Sequence, residues 1–337
     1  NSSAASDVYK RQTYDWDGEI DHVMVFNRSL SPAQIAAIYQ SGLLGRSVMN
    51  MSSEETQKGQ NWTVAVTPND LRNDGPTNIS NSLVIGNSPP TAPDLVSPSG
   101  PIYVRHPKFN WTNATDPDND PLTYILNITC FNTTPIAGSC SDDNRIISGI
   151  ADSNYTLQGK LKYFQRDNYY YNWSVKANDG ELNSSSSEVW NITLFSVVML
   201  SLNQEELDFG SMNQGDADDT TDDDPTPFIL QNDGNCMNDV NMSASMLWTL
   251  IQYPSDYYMF KADNETGSPN YLNVNWTNST YDWAQVPENG TKFLDYFNWS
   301  NATDSVEVDI SVEVPAGEPS GERSSTITMT GWYVKEV

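Results

Sequence analysis

Two histidines and three cysteines in 337 residues leave little material for a catalytic centre. There is no paired-histidine metal motif, no Gly-x-Ser-x-Gly elbow and no glycine-rich phosphate loop. His22 falls in a strand-like stretch and His106 precedes Pro107. Carboxylate pairs such as Asp15 and Asp17 are too common in this acidic chain to signal a glycosidase, so the expectation is that the chain is not an enzyme and needs no cofactor. Positive charge is also scarce. Seventeen Lys and Arg against 44 Asp and Glu give a net charge of −27, a field that repels nucleic acid and anionic membrane surfaces. Long apolar runs are missing too. The longest, Leu194 to Leu200, is interrupted by Ser196 and falls far short of the about 20 residues of a spanning helix.

What is present is aromatic and amide-rich. Ten Trp, 17 Tyr and 10 Phe, with only 18% charged residues, describe a folding chain rather than a disordered acidic tail. The length suits two or three domains.

The opening NSSAASDVYKRQ has no initiator Met, no apolar signal core and no periodicity. Residues 1–12 read as a tail, or as adapter sequence of the kind translated at the ends of environmental assemblies. Residues 13–47 hold a strand alternating at Ile20, Val23 and Val25, then a helix. Ser31 can cap that helix, Pro32 suits its first position, Ile35, Ile38 and Tyr39 form an apolar stripe, and Gly42 can end it. Residues 48–90 offer a few short strands, 91–198 a full set for one sandwich, and 199–337 another. In the last segment the strands are expected near VVMLSL, PFILQNDGN, DVNMSASMLW, YYMFKA, YLNVNWT, SVEVDISVEV and STITMTGWYV. The connection LFSVVMLSLN lacks the Gly, Ser or Pro of a flexible linker, which predicts a stiff join between the last two sandwiches.

The stretch GEIDHVMVFNRSLSPAQIAAIYQSGL resembles the closing strand and helix of laminin-G/concanavalin-like jelly rolls. The following SSEETQKGQNWTVAVTPNDLRNDGPTNISNSLVIGNSPP is similar to the second half of an immunoglobulin-like repeat in archaeal surface proteins, where a jelly roll can sit inside the immunoglobulin-like domain. FNWTNATDPDNDPLTY and YNWSVKANDGELNSSSSE resemble the B–C and F–G regions of fibronectin type III modules. These likenesses imply an all-β fold of tandem immunoglobulin/fibronectin III-like β-sandwiches with one short helix near the N-terminus, at the cell surface or outside the cell.

Asn-x-Ser/Thr sequons occur 20 times, whereas 35 Asn and 63 Ser plus Thr placed at random would give about six or seven. Side chains at i and i+2 of a strand share a face. In NWT, NIT and NWS the acceptor and its hydroxyl therefore point outward together, and the large residue between them points in. That reading fits Asn61 (around Trp62, with Val64 and Val66 continuing the inner row), Asn110, Asn127, Asn172, Asn191, Asn275 and Asn298. The other candidate acceptors are Asn27, Asn50, Asn78, Asn113, Asn132, Asn154, Asn183, Asn241, Asn264, Asn278, Asn289 and Asn301. Unmodified polar residues on exposed strand faces are the alternative. With sugars attached, the faces carry bulky solubilising chains and the protein is extracytoplasmic.

That setting permits a disulfide between Cys130 and Cys140. Cys236 reads as a buried small hydrophobe, with an intermolecular bridge as the alternative. Asp116, Asp118 and Asp120 in DPDND offer hard oxygens for calcium, against plain turn chemistry; the acidic stretch from Asp216 to Asp224 is more charged but less patterned.

Residues 43–90 supply about three strands where a sandwich needs about seven. Cover from another copy by strand addition, repeated head to tail, gives a filament. The chain is also similar to subunits of N-glycosylated, immunoglobulin-like helical fibrils from environmental samples, and the expected partners are identical subunits. The junction is expected at Ile20, Val23 and Val25 or at the row around Trp62. The alternative is an adhesin or carbohydrate-binding surface protein of which these domains are the stalk; a surface-layer subunit is a third.

Overall fold

In the computed structural model the chain divides into two units, Asn1–Ser88 and Pro89–Val337. The structure describes residues 29–43, 56–68, 70, 72–134, 138–251, 254–263, 272–300 and 302–336. The expected strand at Ile20, Val23 and Val25, and Asn27, Asn50, Asn264 and Asn301, lie outside the described residues.

In the first unit, helix α1 spans Pro32–Leu43. Its start is a reciprocal capping box. The Gln34 amide donates to Ser31 Oγ at 3.2 Å, and the Ser31 amide donates to Gln34 Oε1 at 2.9 Å. The helix runs one residue past Gly42. Of its expected apolar stripe Ile38 is half-buried, while Ile35 is 55% and Tyr39 62% exposed. Four short strands follow. β1 (Asn61–Trp62) pairs with β4 (Leu83–Val84), and β2 (Ala65–Val66) pairs with β3 (Asn78–Ile79), all antiparallel. The expected inner row is corrected here. Trp62 is half-buried, but Val64 and Val66 are exposed, as are Ile79, Leu83 and Val84. Alternation decides which way a side chain points; burial also needs a second layer, and these ladders have none among the described residues.

The second unit contains two sandwiches. The first is built from β5 (Leu95–Ser97), β6 (Gly100–Ile102), β7 (Lys108–Trp111), β8 (Thr123–Asn132), β9 (Arg145–Ile150), β10 (Asn154–Thr156), β11 (Tyr169–Asn178) and β12 (Trp190–Leu194). One sheet has the order β10-β7-β5 and the facing sheet β6-β12-β11-β8-β9, with β6 parallel to β12. In immunoglobulin lettering this is E-B-A against A′-G-F-C-C′. Phe109, Leu126, Ile128, Tyr171, Trp173, Ile192 and Leu194 are fully buried between the sheets, each contributing about 1.5–3 kcal/mol. The Tyr171 hydroxyl accepts from the Tyr163 amide at 2.9 Å, eight residues upstream, and donates to Asp143 Oδ2 at 2.6 Å. This is the tyrosine-corner arrangement of such sandwiches.

The second sandwich is built from β13 (Leu200–Leu202), β14 (Ala217–Asp219), β15 (Phe228–Asn232), β16 (Asn238–Ala244), β17 (Tyr258–Asp263), β18 (Ala284–Gln285), β19 (Thr291–Phe297), β20 (Ser305–Glu313) and β21 (Ile327–Tyr333). One sheet runs β13-β15-β20-β17-β18, with β14 also on β20; the other runs β19-β16-β21. The strand expected at YLNVNWT is a correction: Trp276–Asn278 forms a short 3-10 turn. Asp295 captures this segment, its carbonyl accepting from the Asn275 amide and its carboxylate from Asn275 Nδ2 at 2.7 Å. The protein is thus all-β, with tandem sandwiches and α1 as the single α-helix among the described residues.

The join between the sandwiches is packed. Arg105 donates to Leu161 O at 2.8 Å, pairs with the Glu336 carboxylate, and stacks between the Phe164 and Trp299 rings at 4.8 and 4.9 Å. Asn235 ties the connecting segment down: its Nδ2 donates to Tyr103 O and Phe195 O, and its Oδ1 accepts from the Val197 amide. Gly234 is obligatory, because a Cβ there would lie 2.2 Å from Val197 O.

Candidate assembly edge and modification faces

Strand alternation positions five of the described acceptors, Asn110, Asn127, Asn172, Asn191 and Asn241. On β7, β8, β11, β12 and β16 the residue between Asn and its hydroxyl points into the core: Trp111, Ile128, Trp173, Ile192 and Met242 are all buried. Register then groups three acceptors. Ser174 lies opposite Asn127, and Asn172 opposite both Thr129 and Asn191, so Asn127, Asn172 and Asn191 share the outer face of three adjacent strands. Asn191 Nδ2 reaches Asn172 Oδ1 at 3.3 Å. Asn113, Asn132, Asn183 and Asn289 are exposed in loops and at a strand end, and Asn61 and Asn78 are exposed in the first unit; Asn110, Asn154 and Asn241 are half-buried.

Two acceptors, Asn275 and Asn298, sit differently from the expectation. Asn275 precedes the 3-10 turn and Asn278 is its last residue; both side-chain amides donate to Asp295 Oδ2. Asn298 lies just after the end of β19, outside any strand. Its Nδ2 donates to Leu272 O at 3.0 Å and Thr303 Oγ1 at 2.7 Å, while its Oδ1 accepts from the Trp299 and Ser300 amides. These are the nitrogens a sugar would occupy.

Cys130 and Cys140 are bonded, with Cα atoms 5.7 Å apart. Cys236 is buried and free, its thiol donating to Val197 O; burial pushes the thiol pKa up to about 12.

The acidic candidates divide. Asp116, Asp118 and Asp120 come together, each offering a carboxylate oxygen within 4.8 Å of the others. Asp116 Oδ1 accepts from the Asp118 and Asp120 amides at 2.8 and 3.1 Å, as turn chemistry does, while its Oδ2 is buried without a hydrogen-bond partner. In the stretch from 216 to 224, Asp216 accepts from Asn213 and Asp219 caps the short turn at Thr220–Asp222; these residues form no such group. A second convergent set, missed by sequence reasoning, is Asp263, Glu307 and Asp309 on the outer side of the β17/β20 ladder. Burial and the Asp309 and Asp263 charges push the Glu307 carboxyl up to about 7. The alternation in SVEVDIS was the available signal.

An incomplete edge was also not legible. The Val334 amide donates to Met237 O and the Ser245 amide to Thr326 O, which fixes the phase of the β16/β21 ladder. Thr328, Thr330 and Trp332 therefore point their backbone groups at β16, and those of Ile327, Met329 and Gly331 point to the other side. No strand pairs with β21 there among the described residues. Ile327 and Met329 pack on the core yet stay only half-buried. At the opposite end of this sheet, β19 is covered: Asp295 and Phe293 carbonyls accept from the Asn275 and Thr280 amides. An uncovered edge of this kind is a template for another strand.

Among the described residues no helix is long and apolar enough to cross a membrane. No family model matches the chain, and no curated protein matches it. Solved structures do: the FN1–FN3 domains of chicken CNTN1 are 11% identical, with 80% of this chain and 78% of that one covered and a TM-score of 0.25. Chitinase ChiA74 from Bacillus thuringiensis is 14% identical over 71% of this chain and 29% of its own, with a TM-score of 0.21. The Escherichia coli alpha-2-macroglobulin activated by porcine elastase is 8% identical over 76% and 23%, also at 0.21.

Proposed function

We propose that this protein is a structural subunit of a glycan-coated extracellular filament or surface appendage, in which copies join head to tail by strand complementation. The observation behind this reading is the outer side of β21, with which no strand among the described residues pairs, beside the half-buried Ile327 and Met329. The first unit offers the reciprocal feature, short strands with Val64, Val66, Ile79 and Leu83 exposed. A strand added to an open edge gains main-chain hydrogen bonds, and its alternate side chains fill the gap beside the core. Because donor and acceptor lie in different parts of one chain, the contact is heterologous and propagates. Sugars on the outer faces, including the band at Asn127, Asn172 and Asn191, would keep the sheets soluble and blunt unwanted lateral pairing.

The test is assembly of edge variants, read by negative-stain electron microscopy and sedimentation. Met329→Lys places a charge against the incoming strand and should leave monomers. Thr328→Lys, on the outward face, should still assemble. Deleting residues 13–48 should also give monomers if the donor lies at Ile20, Val23 and Val25. Fibres from Met329→Lys indistinguishable from those of the unaltered chain would reject the β21 junction.

A further inference from the structure

We infer that the outer face of the β17/β20 ladder is a calcium-type site, with Asp263, Glu307 and Asp309 as carboxylate ligands to one divalent cation. Asp263 faces Glu307 and Lys261 faces Asp309 across the ladder, all four on the side turned away from Phe260, Val308 and Ile310. The position is outward, yet Asp263 is 4% and Asp309 0% exposed. Each acid offers an oxygen within 4.8 Å of the others. Calcium–oxygen bonds of about 2.4 Å put opposite ligands about 4.8 Å apart, so the three fit around one ion.

A second observation points to a ligand. Asp263 Oδ1 is buried without any hydrogen-bond partner. The other oxygens are partly used: Asp309 Oδ1 accepts from the Thr220 hydroxyl at 2.7 Å, and Lys261 Nζ lies 2.9 Å from Asp263 Oδ2 and 3.2 Å from Asp309 Oδ2. With all three carboxylates ionised, one ammonium leaves an excess of two negative charges in a desolvated place, an arrangement that burial disfavours. A dication cancels that excess. The all-oxygen donor set, without His or Cys, selects calcium-like hard ions over zinc. Asp223, whose charge also acts on Glu307, adds to the local negative field.

The test uses the full chain stripped with chelator. Calcium is titrated by calorimetry, and terbium binding is followed by luminescence sensitised through Trp283, whose ring lies 5.4 Å from Lys261 Nζ. The expected result is one saturable site, in the roughly millimolar or tighter range of extracellular modules, weakened about tenfold or more in Glu307→Gln and in Asp263→Asn. Glu307→Gln keeps the side-chain volume and is only half-buried, so it serves if Asp263→Asn does not fold. Asp118→Asn, in the other acidic loop, should retain this site. Absence of calcium binding, or binding unchanged in Glu307→Gln, or loss in Asp118→Asn instead, would overturn the assignment.

Discussion

Arg105 and Glu336, 231 positions apart in the chain, form a bidentate ion pair that closes the join between the two sandwiches. The Arg105 side chain is fully buried there. Burial opposes the Glu336 charge, but Arg105 and Lys160 outweigh it and hold the carboxyl below its usual range. With the Phe164 and Trp299 rings on either side of the guanidinium, the contact ties the segment that follows β21 in one sandwich to loops of the other.

Removing one partner of this pair should therefore loosen the join. Arg105→Met leaves the Glu336 carboxylate without its main counter-charge, and the expected loss is about 3–5 kcal/mol in denaturant unfolding. Small-angle scattering should show a wider spread of inter-sandwich angles. An unchanged unfolding midpoint would show that the pair contributes nothing.

Tyr171→Phe deletes one hydroxyl that serves two partners, the Tyr163 amide and Asp143 Oδ2. Asp143 keeps Arg145 and the Lys162 amide, so the cost should be that of a buried amide left unsatisfied, about 1–3 kcal/mol. Urea unfolding of the variant measures it directly.

Glu318 governs an acid-side transition. Its side chain is 2% exposed; burial opposes ionisation, yet the Thr249 hydroxyl and amide, Arg323 and the Leu250 amide bring its pKa down to about 2. A carboxyl depressed in the folded state stabilises above its unfolded value of 4.5 and loses that contribution as pH falls through about 2. Glu318→Gln should thus be less stable than the unaltered protein at pH 6, with the gap closing towards pH 2. A gap constant with pH would contradict the assignment.

Sequon occupancy should follow geometry rather than sequence. Glycopeptide mass spectrometry should find sugar at the exposed Asn113, Asn127, Asn183 and Asn289, and much less at Asn275 and Asn298, whose amide nitrogens hold internal partners. High occupancy at the last two would mean that the Asp295 and Thr303 contacts do not form in the modified protein.

Much of this architecture was legible because alternation with aromatic or branched inner residues is a strong strand signal; β7, β8, β11, β12 and β16 follow it closely. The capped helix was equally clear from Ser31 and Pro32, although Gln34 as the reciprocal cap went unread. Failures have local causes. YLNVNWT alternates like a strand, but Asp295 and Ser305 O bind its asparagine amides and turn it. β9 contains Ser148 and Gly149 and has a weak pattern, being an edge strand. The buried acids were hidden because alternation places Glu307 and Asp309 on a solvent-facing row, whereas the Thr220 hydroxyl and the Lys261 ammonium pack against Asp309. Pairing was invisible altogether: β21 reads like any half-buried strand, and only register shows that no strand among the described residues pairs with one side of it.

Electron cryomicroscopy of native material at side-chain resolution tests the central claim most directly. The account predicts a filament in which β21 is flanked by β16 on one side and by a strand of a neighbouring copy on the other, with Ile327 and Met329 covered and sugar density on the outer sheet faces. Isolated subunits, or filaments whose copies touch elsewhere and leave β21 exposed to solvent, would contradict it.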